Sequence, residues 1–135
     1  MTTTNTIESP TAMTHIEAFF STHDTSHIAE NAVFKNLNTG QDTIGREAIG
    51  QMLNYLYHIA FDANAIVSNT IVTDKKAVLE ATFAGRHIGE FANIPATHKE
   101  VNVPLCVVYD LNKDGLIQEA RIYMLMDIMI QQLHS

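Results

Sequence analysis

One cysteine, eight basic residues and no long apolar run are what this chain of 135 residues has to offer on three counts, and each scarcity excludes something. Cys106, being alone, cannot form an intrachain disulfide and fits a reducing compartment. Within the alternating run 101–109 it reads as a small buried side chain rather than a nucleophile. The eight Lys and Arg face fifteen Asp and Glu, leaving a net charge of −7, and they gather nowhere beyond Lys75-Lys76. A surface that tracks phosphates needs clustered cations, so nucleic acid is not an expected partner. No stretch approaches the roughly 20 apolar residues of a membrane span. The Thr-rich N-terminus has neither the basic nor the apolar region of a secretory signal, so a cytoplasmic protein away from membranes is expected. Gly-rich phosphate loops, a Gly-x-Ser-x-Gly elbow and paired-Cys motifs are also missing, and no cofactor is expected.

What is present is ordinary globular material, 46% hydrophobic and 17% charged, enough for one domain with a real core. Residues 1–9 read as a flexible polar tail and residues 10–135 as a single domain. Thr14 and Glu17 have capping-box spacing, with Ile16, Phe19 and Phe20 following on one face, so a first helix should begin near Pro10 or Thr14. Residues 23–31 read as a second short helix with Ile28 and Ala32 on its apolar side. His23 and His27 have the i, i+4 spacing of two metal ligands. No third ligand follows in a recognisable pattern, and exposed helix histidines are the plainer reading, so no metal is expected.

Residues 32–37 form a strand candidate closed by Asn38-Thr39-Gly40. The clearest helix spans residues 45–60, where Ile49, Met52, Leu53, Leu56 and Ala60 make one apolar stripe flanked by Tyr55 and His58. From residue 63 the period changes to two. Strands are expected over residues 65–73, 77–88, 100–110 and 116–126, with a turn at Asp74-Lys75-Lys76 and an irregular excursion over 90–98. In the second of these Leu79, Ala81, Phe83, Gly85 and His87 share the more apolar face. His87 there is either a core histidine satisfied by backbone or a ligand contact. Val101, Val103, Leu105 and Val107 share a face of the third, and Pro104, which cannot donate to a ladder, marks an edge or a bulge. The last strand places Ala120, Ile122, Met124 and Met126 on one side and Ile117, Glu119, Arg121, Tyr123 and Leu125 on the other. Such a split suggests a subunit interface on one face and a pocket lining on the other. Two or three helices followed by a four-strand antiparallel meander give an α+β fold with helices on one face of a curved sheet.

Asp110-Leu111-Asn112-Lys113-Asp114-Gly115 opens like a calcium loop, but the twelfth position holds Arg121 where a bidentate Glu is needed. Asn-Lys-Asp-Gly is then a hairpin turn, with Gly115 supplying positive φ.

Several stretches taken in order carry a family resemblance: Gly45-Arg46-Glu47-Ala48-Ile49, Gly85-x-His87-x-Gly89-Glu90-Phe91, Ile94-Pro95-Ala96-Thr97-His98-Lys99-x-Val101-x-Val103-Pro104, Asp114-Gly115-x-Ile117 and Gln132-Leu133. Over residues 13–133 the chain resembles the SnoaL-like polyketide cyclases of the nuclear-transport-factor-2-like superfamily. The resemblance implies a cone-shaped, mixed or antiparallel sheet of about four to six strands wrapped around N-terminal helices, with an apolar pocket for a small hydrophobic ligand. It also implies a homodimer through the outer sheet face, here Ile122, Met124 and Met126. Family members close polyketide rings by aldol condensation, using a strand aspartate as acid and base. Seven residues before Gln132, where that aspartate stands, this chain has Leu125. Asp127 is the nearest carboxylate, placed either to reach the pocket or to cap the terminal helix.

Two functions follow as expectations. One is a cofactor-free cyclase or isomerase that moves protons on a polyketide-like or other hydrophobic carbonyl substrate. His87 would be the base, Tyr123 or Arg121 would stabilise the oxyanion, and Phe20, Phe34, Asn36, Met52, Leu56 and Leu125 would contact the ligand. The other is a non-catalytic ligand-binding or dimeric scaffold protein of the same fold, which the leucine at position 125 favours.

Overall fold

The computed structural model describes residues 4–7, 16, 18–20 and 22–135. Strand β1 is Thr4–Ile7, β2 Ile28–Asn36, β3 Gln41–Ile44, β4 Phe61–Val72, β5 Lys76–His87, β6 Glu100–Leu111 and β7 Ile117–Met124. Helix α1 is Arg46–Asn54, continued as a π-helical turn over Tyr55–Ala60, and α2 is Met126–His134. The strands make one open mixed sheet in the order β1-β4-β5-β6-β7-β2-β3, an α+β cone over the helices. Its centre is the expected antiparallel meander β4-β5-β6-β7. The flanks are parallel pairings, β7 with β2 and β1 with β4.

Alternation along the meander builds the core. Leu79, Ala81 and Phe83 of β5 and Val101, Val103, Leu105 and Val107 of β6 are all buried on one face. Phe61 and Phe83 meet edge-on with centroids 5.1 Å apart. Ile16 and Phe19 from the N-terminal helical residues, and Ile49 and Leu53 from α1, close over that face. The helix start and capping box expected near Thr14 and Glu17 lie outside the described residues. Met129 and Leu133 of α2 are buried at its other end.

Four local expectations need correction. Residues 23–31 are not a helix: Asp24 accepts from the Ser26 amide at 2.9 Å and caps a single 3-10 turn, Thr25–His27, after which β2 begins. A short polar side chain bonding its own backbone competes with helix there. The strand β3, beyond the Gly40 turn, gave no signal because it is an exposed edge with no buried face to impose alternation. Thr4–Ile7, within the stretch expected to be a polar tail, pair along the free edge of β4. Two threonines and one isoleucine make the segment a β-former although it is mostly polar.

The fourth correction concerns β7. Asp110 pairs with Glu119 but Leu111 pairs with Ile117, so Gln118 is an extra residue. Such a bulge shifts the side-chain alternation. Ile117 and Ala120 are therefore both fully buried although three apart, and from Ala120 onward the even-numbered side chains face inward.

Pro104 pairs with Thr82 in the sheet interior, yet its missing N–H is harmless. Its carbonyl accepts from Leu125 N at 3.2 Å, which places both its main-chain groups on the β7 side, just beyond the last pair, Leu105 with Met124. From there the side chain of Gln132 replaces a strand. Its amide accepts from Asn102 N at 2.7 Å and donates to Asn102 O at 2.9 Å. Lys99 donates to the Leu133 carbonyl at 3.2 Å and to that of Ser135, a cation at the negative end of α2.

The two glycines of Gly85-x-His87-x-Gly89 are explained by close approach. A Cβ at Gly85 would collide with the Asp62 carbonyl and Ala63 of β4, and one at Gly89 with the Ile59 carbonyl at the end of the π turn. Both obstacles are backbone, which cannot swing aside. Gly85→Ala should destabilise the protein by about 1–3 kcal/mol, the usual cost of overpacking, as a lower urea midpoint with an unchanged m-value.

Candidate functional site: an apolar cavity under the sheet

The concave face of the sheet and the helices enclose a cavity of about 170 Å³. Its sheet wall is Phe34 and Asn36 of β2, Leu105, Val107 and Tyr109 of β6, and Ile122 and Met124 of β7. Phe19, Phe20, Met52 and Leu56 form the helical wall, and Phe91 and Met126 also line the cavity. Phe20, Phe34, Asn36, Met52 and Leu56, expected from the sequence to face a ligand, thus all line it. Ile122, Met124 and Met126, expected on an outer subunit-facing surface, line it as well: the bulge at Gln118 turns Ile122 and Met124 inward, and Met126 enters from the first turn of α2.

The same bulge removes Arg121, Tyr123 and Leu125 from the cavity. Tyr123 and Leu125 are about half exposed, at 47% and 51%. Arg121 lies among carboxylates: its guanidinium holds Asp110 through two bonds of 2.8 and 3.2 Å and also bonds Glu119. Lys76 bonds Asp110, and Lys35 stands 3.6 Å from Glu119. Hydrogen bonds from Arg121, helped by Lys76, hold the Asp110 carboxyl at about 2, and Asp110 in turn raises Arg121. A guanidinium so committed is a brace across β5, β6, β7 and β2, not an oxyanion donor. Asp127 is exposed in the first turn of α2 and makes no side-chain cap there; it favours the helix as a charge near its positive end.

His87 is fully buried but is not part of the cavity wall. Its Nδ1 accepts from the Thr97 amide at 3.1 Å and lies 3.0 Å from the Thr97 hydroxyl. The neutral ring then carries its proton on Nε2, which is buried and makes no hydrogen bond of ordinary geometry among the described residues, the Gly89 backbone being its nearest support. Phe61 lies against the ring at 5.1 Å and contacts Phe83 and Phe91 in turn. Burial lowers the His87 pKa, with the Gly89 backbone opposing and His98 assisting. His87 anchors the 88–98 excursion to β5, since His98 N also donates to His87 O and His87 N to Lys99 O, both at 2.9 Å.

Among the described residues the polar groups that line the cavity are His23, Asn36, Asn38, Tyr55, Tyr57 and Tyr109. His23 ends the N-terminal helical stretch at φ 52°, its amide bonded to Phe19 O at 2.6 Å. A non-glycine residue there is uncommon and costs backbone strain. Its ring meets that of Tyr57 at 4.5 Å. Burial, then the nearby His58, lowers its pKa, so it is neutral at pH 7. Tyr57 escaped the sequence because the π turn is wider than an α turn and rotates it inward. Tyr109 was findable, as the next inward position after Val107 in β6. Among the described residues no group of three or more His, Cys, Asp or Glu gathers to hold a metal, and no helix is long and apolar enough to cross a membrane.

An apolar cavity beneath a cone-shaped sheet sets this chain beside known proteins. The profile of the SnoaL-like polyketide cyclase family matches residues 11–133. The chain belongs to that family. A SnoaL-like protein from Jannaschia Sp. CCS1 superposes with a TM-score of 0.83 at 17% identity, covering 96% of this chain and 97% of that one. A hypothetical protein with a ketosteroid isomerase-like fold from Catenulispora acidiphila DSM 44928, solved with trimethylamine, gives 0.72 at 14% over 93% and 94% of the chains. TsrD from Streptomyces laurentii gives 0.71 at 23% over 90% and 91%. Identities this low establish a common fold. A search of curated proteins finds no match. This SnoaL-like chain has no carboxylate among the described residues of its cavity wall.

Both His23 and His87 have lowered pKa values, so below the ordinary 6.5 the unfolded chain binds protons that the folded one resists. Stability is then fully present above pH 6.5 and falls as the pH drops below it. Urea unfolding at about pH 7.5 and about pH 5.5 should show that loss. His87→Asn, whose Oδ1 stands where Nδ1 does and can still accept from Thr97 N but does not titrate, should lose less.

Proposed function

We propose that the protein binds a small hydrophobic carbonyl compound of polyketide type and catalyses cofactor-free proton transfer on it, with a cyclase or isomerase outcome. The observation that carries this is His23, the one histidine among the described residues of the cavity wall, held in its basic form by burial. Neutral imidazole takes a proton from the carbon next to the carbonyl, leaving an enolate in the cavity. The imidazolium then returns that proton elsewhere on the carbon frame, or the enolate attacks a second carbonyl of the same molecule. Family membership supports a ligand of this class. His23 replaces the expected His87, and the walls supply desolvation.

The second reading is a non-catalytic binding protein. It is favoured by the lack of a carboxylate in the described cavity wall and by the outward placement of Leu125.

Exchange of the α-hydrogens of 2-tetralone in D₂O, followed by NMR, separates the two. Catalysis predicts accelerated exchange that falls as the pH drops through the lowered pKa of His23, at a more acid pH than an ordinary imidazole would give. His23→Asn should lose about 10²- to 10⁴-fold of the acceleration, the usual share of a general base; Asn tolerates the positive φ. Arg121→Gln and Asp127→Asn should leave it unchanged. Saturable binding of 2-tetralone without accelerated exchange would leave only the binding protein.

A further inference from the structure

Tyr57 and Tyr109 are buried tyrosines, 6% and 4% exposed, and both line the cavity. Buried tyrosine hydroxyls ordinarily find a partner. Neither of these hydroxyls hydrogen-bonds any described residue, whereas the more exposed Tyr55 donates to the Glu90 carbonyl. Their rings are nevertheless held. Tyr109 packs against Phe19, Phe20 and Phe34 at 6.2, 5.8 and 6.5 Å. Tyr57 packs against His23 and Phe83 at 4.5 and 5.2 Å. Fixed rings whose hydroxyls no described residue claims, at one apolar cavity, are donors set in place before a ligand arrives.

We propose that Tyr57 and Tyr109 form a two-donor site for one ligand oxygen, so that the occupant is a hydrophobic molecule bearing a carbonyl, enol or phenol oxygen. This rests on the cavity reading above and adds what the cavity selects. An oxygen that gains negative charge accepts two O–H bonds better than a neutral one, and a dry surround strengthens both. The tyrosines stay protonated to do so. Burial pushes Tyr57 up to about 12 and raises Tyr109 further, with Tyr57 itself adding to the rise. An apolar molecule without an acceptor would fill the same space but leave both hydroxyls unpaired, which is where discrimination arises.

The test compares naphthalene with 2-naphthol as probes on the full chain, by calorimetric or fluorescence titration at about pH 7, where the phenol is neutral. Wild type should bind 2-naphthol about tenfold more tightly than naphthalene, the worth of one to two hydrogen bonds. In Tyr57→Phe and Tyr109→Phe that preference should shrink, and in the double variant it should vanish while naphthalene binding persists. Melting temperatures of the variants should match wild type, because the hydroxyls bond no described residue. Equal affinity of wild type for the two probes, or a preference that survives in the double variant, would overturn the donor pair and leave the cavity reading standing. So would a drop in melting temperature, which would make the hydroxyls structural. Binding of neither probe would overturn the cavity reading itself and the donor pair with it.

Discussion

Opposite Asp110 and Leu111 of β6, β7 spends one residue, Gln118, outside the ladder, and the inner surface of the protein depends on that insertion. A strand has a period of two, so one added residue exchanges its faces. Without it Arg121 and Tyr123 would point at the helices, and Ile122 and Met124 at solvent. With it the cavity receives sulfur and hydrocarbon, and the guanidinium meets Asp110 and Glu119 where water can help to solvate them. β4 has the same device at Ser68, between the pairs Val67 with Ala81 and Asn69 with Glu80. Bulges also bend the strands that carry them, so curvature and facing are set together.

The regular parts of the chain were legible because burial imposes a pattern on them. The meander, the Asn112–Gly115 turn and the stripe of α1 all follow from apolar periodicity and turn chemistry. In that turn Asn112 Oδ1 accepts from Asp114 N and Leu116 N, and Gly115 takes φ 79°. What alternation cannot reveal is where it breaks. The bulge in β7 has no glycine to announce it, and the π turn after Asn54 reads as an ordinary continuation of α1. Those two irregularities account for most of the displaced site residues, Arg121, Tyr123 and Leu125 on one side and Tyr57 on the other. The edge strand β3 was missed for a different reason, since a strand with no buried face has no pattern to show.

The histidines make the same point about chemistry. His87 sits in a Gly-x-His-x-Gly motif, the kind of local signature that suggests a site. Its glycines are there because two pieces of backbone pass too close for a Cβ, and its ring ties down the loop that follows. His23 belongs to no catalytic motif, only to the i, i+4 pair with His27, and lies at the end of a helical stretch, where its side chain is turned inward by a left-handed backbone. Its pairing with Tyr57 is made only in three dimensions. A motif identifies residues that neighbouring backbone requires, and a cavity can be furnished by residues that no local pattern connects.

The side-chain bonds of Gln132 to Asn102 reach beyond the fold of one molecule. Past Met124 the first half of β6 has no neighbouring strand on that side among the described residues, and main-chain groups left free there would be a template for a strand from another chain. Gln132 occupies both groups of Asn102, and Pro104 offers no N–H two residues on. The helix that carries Gln132 is anchored by Met129, Leu133 and the grip of Lys99. An incoming strand would have to lift that whole helix before it could pair, so the last turn of the chain also guards it against sticking to itself.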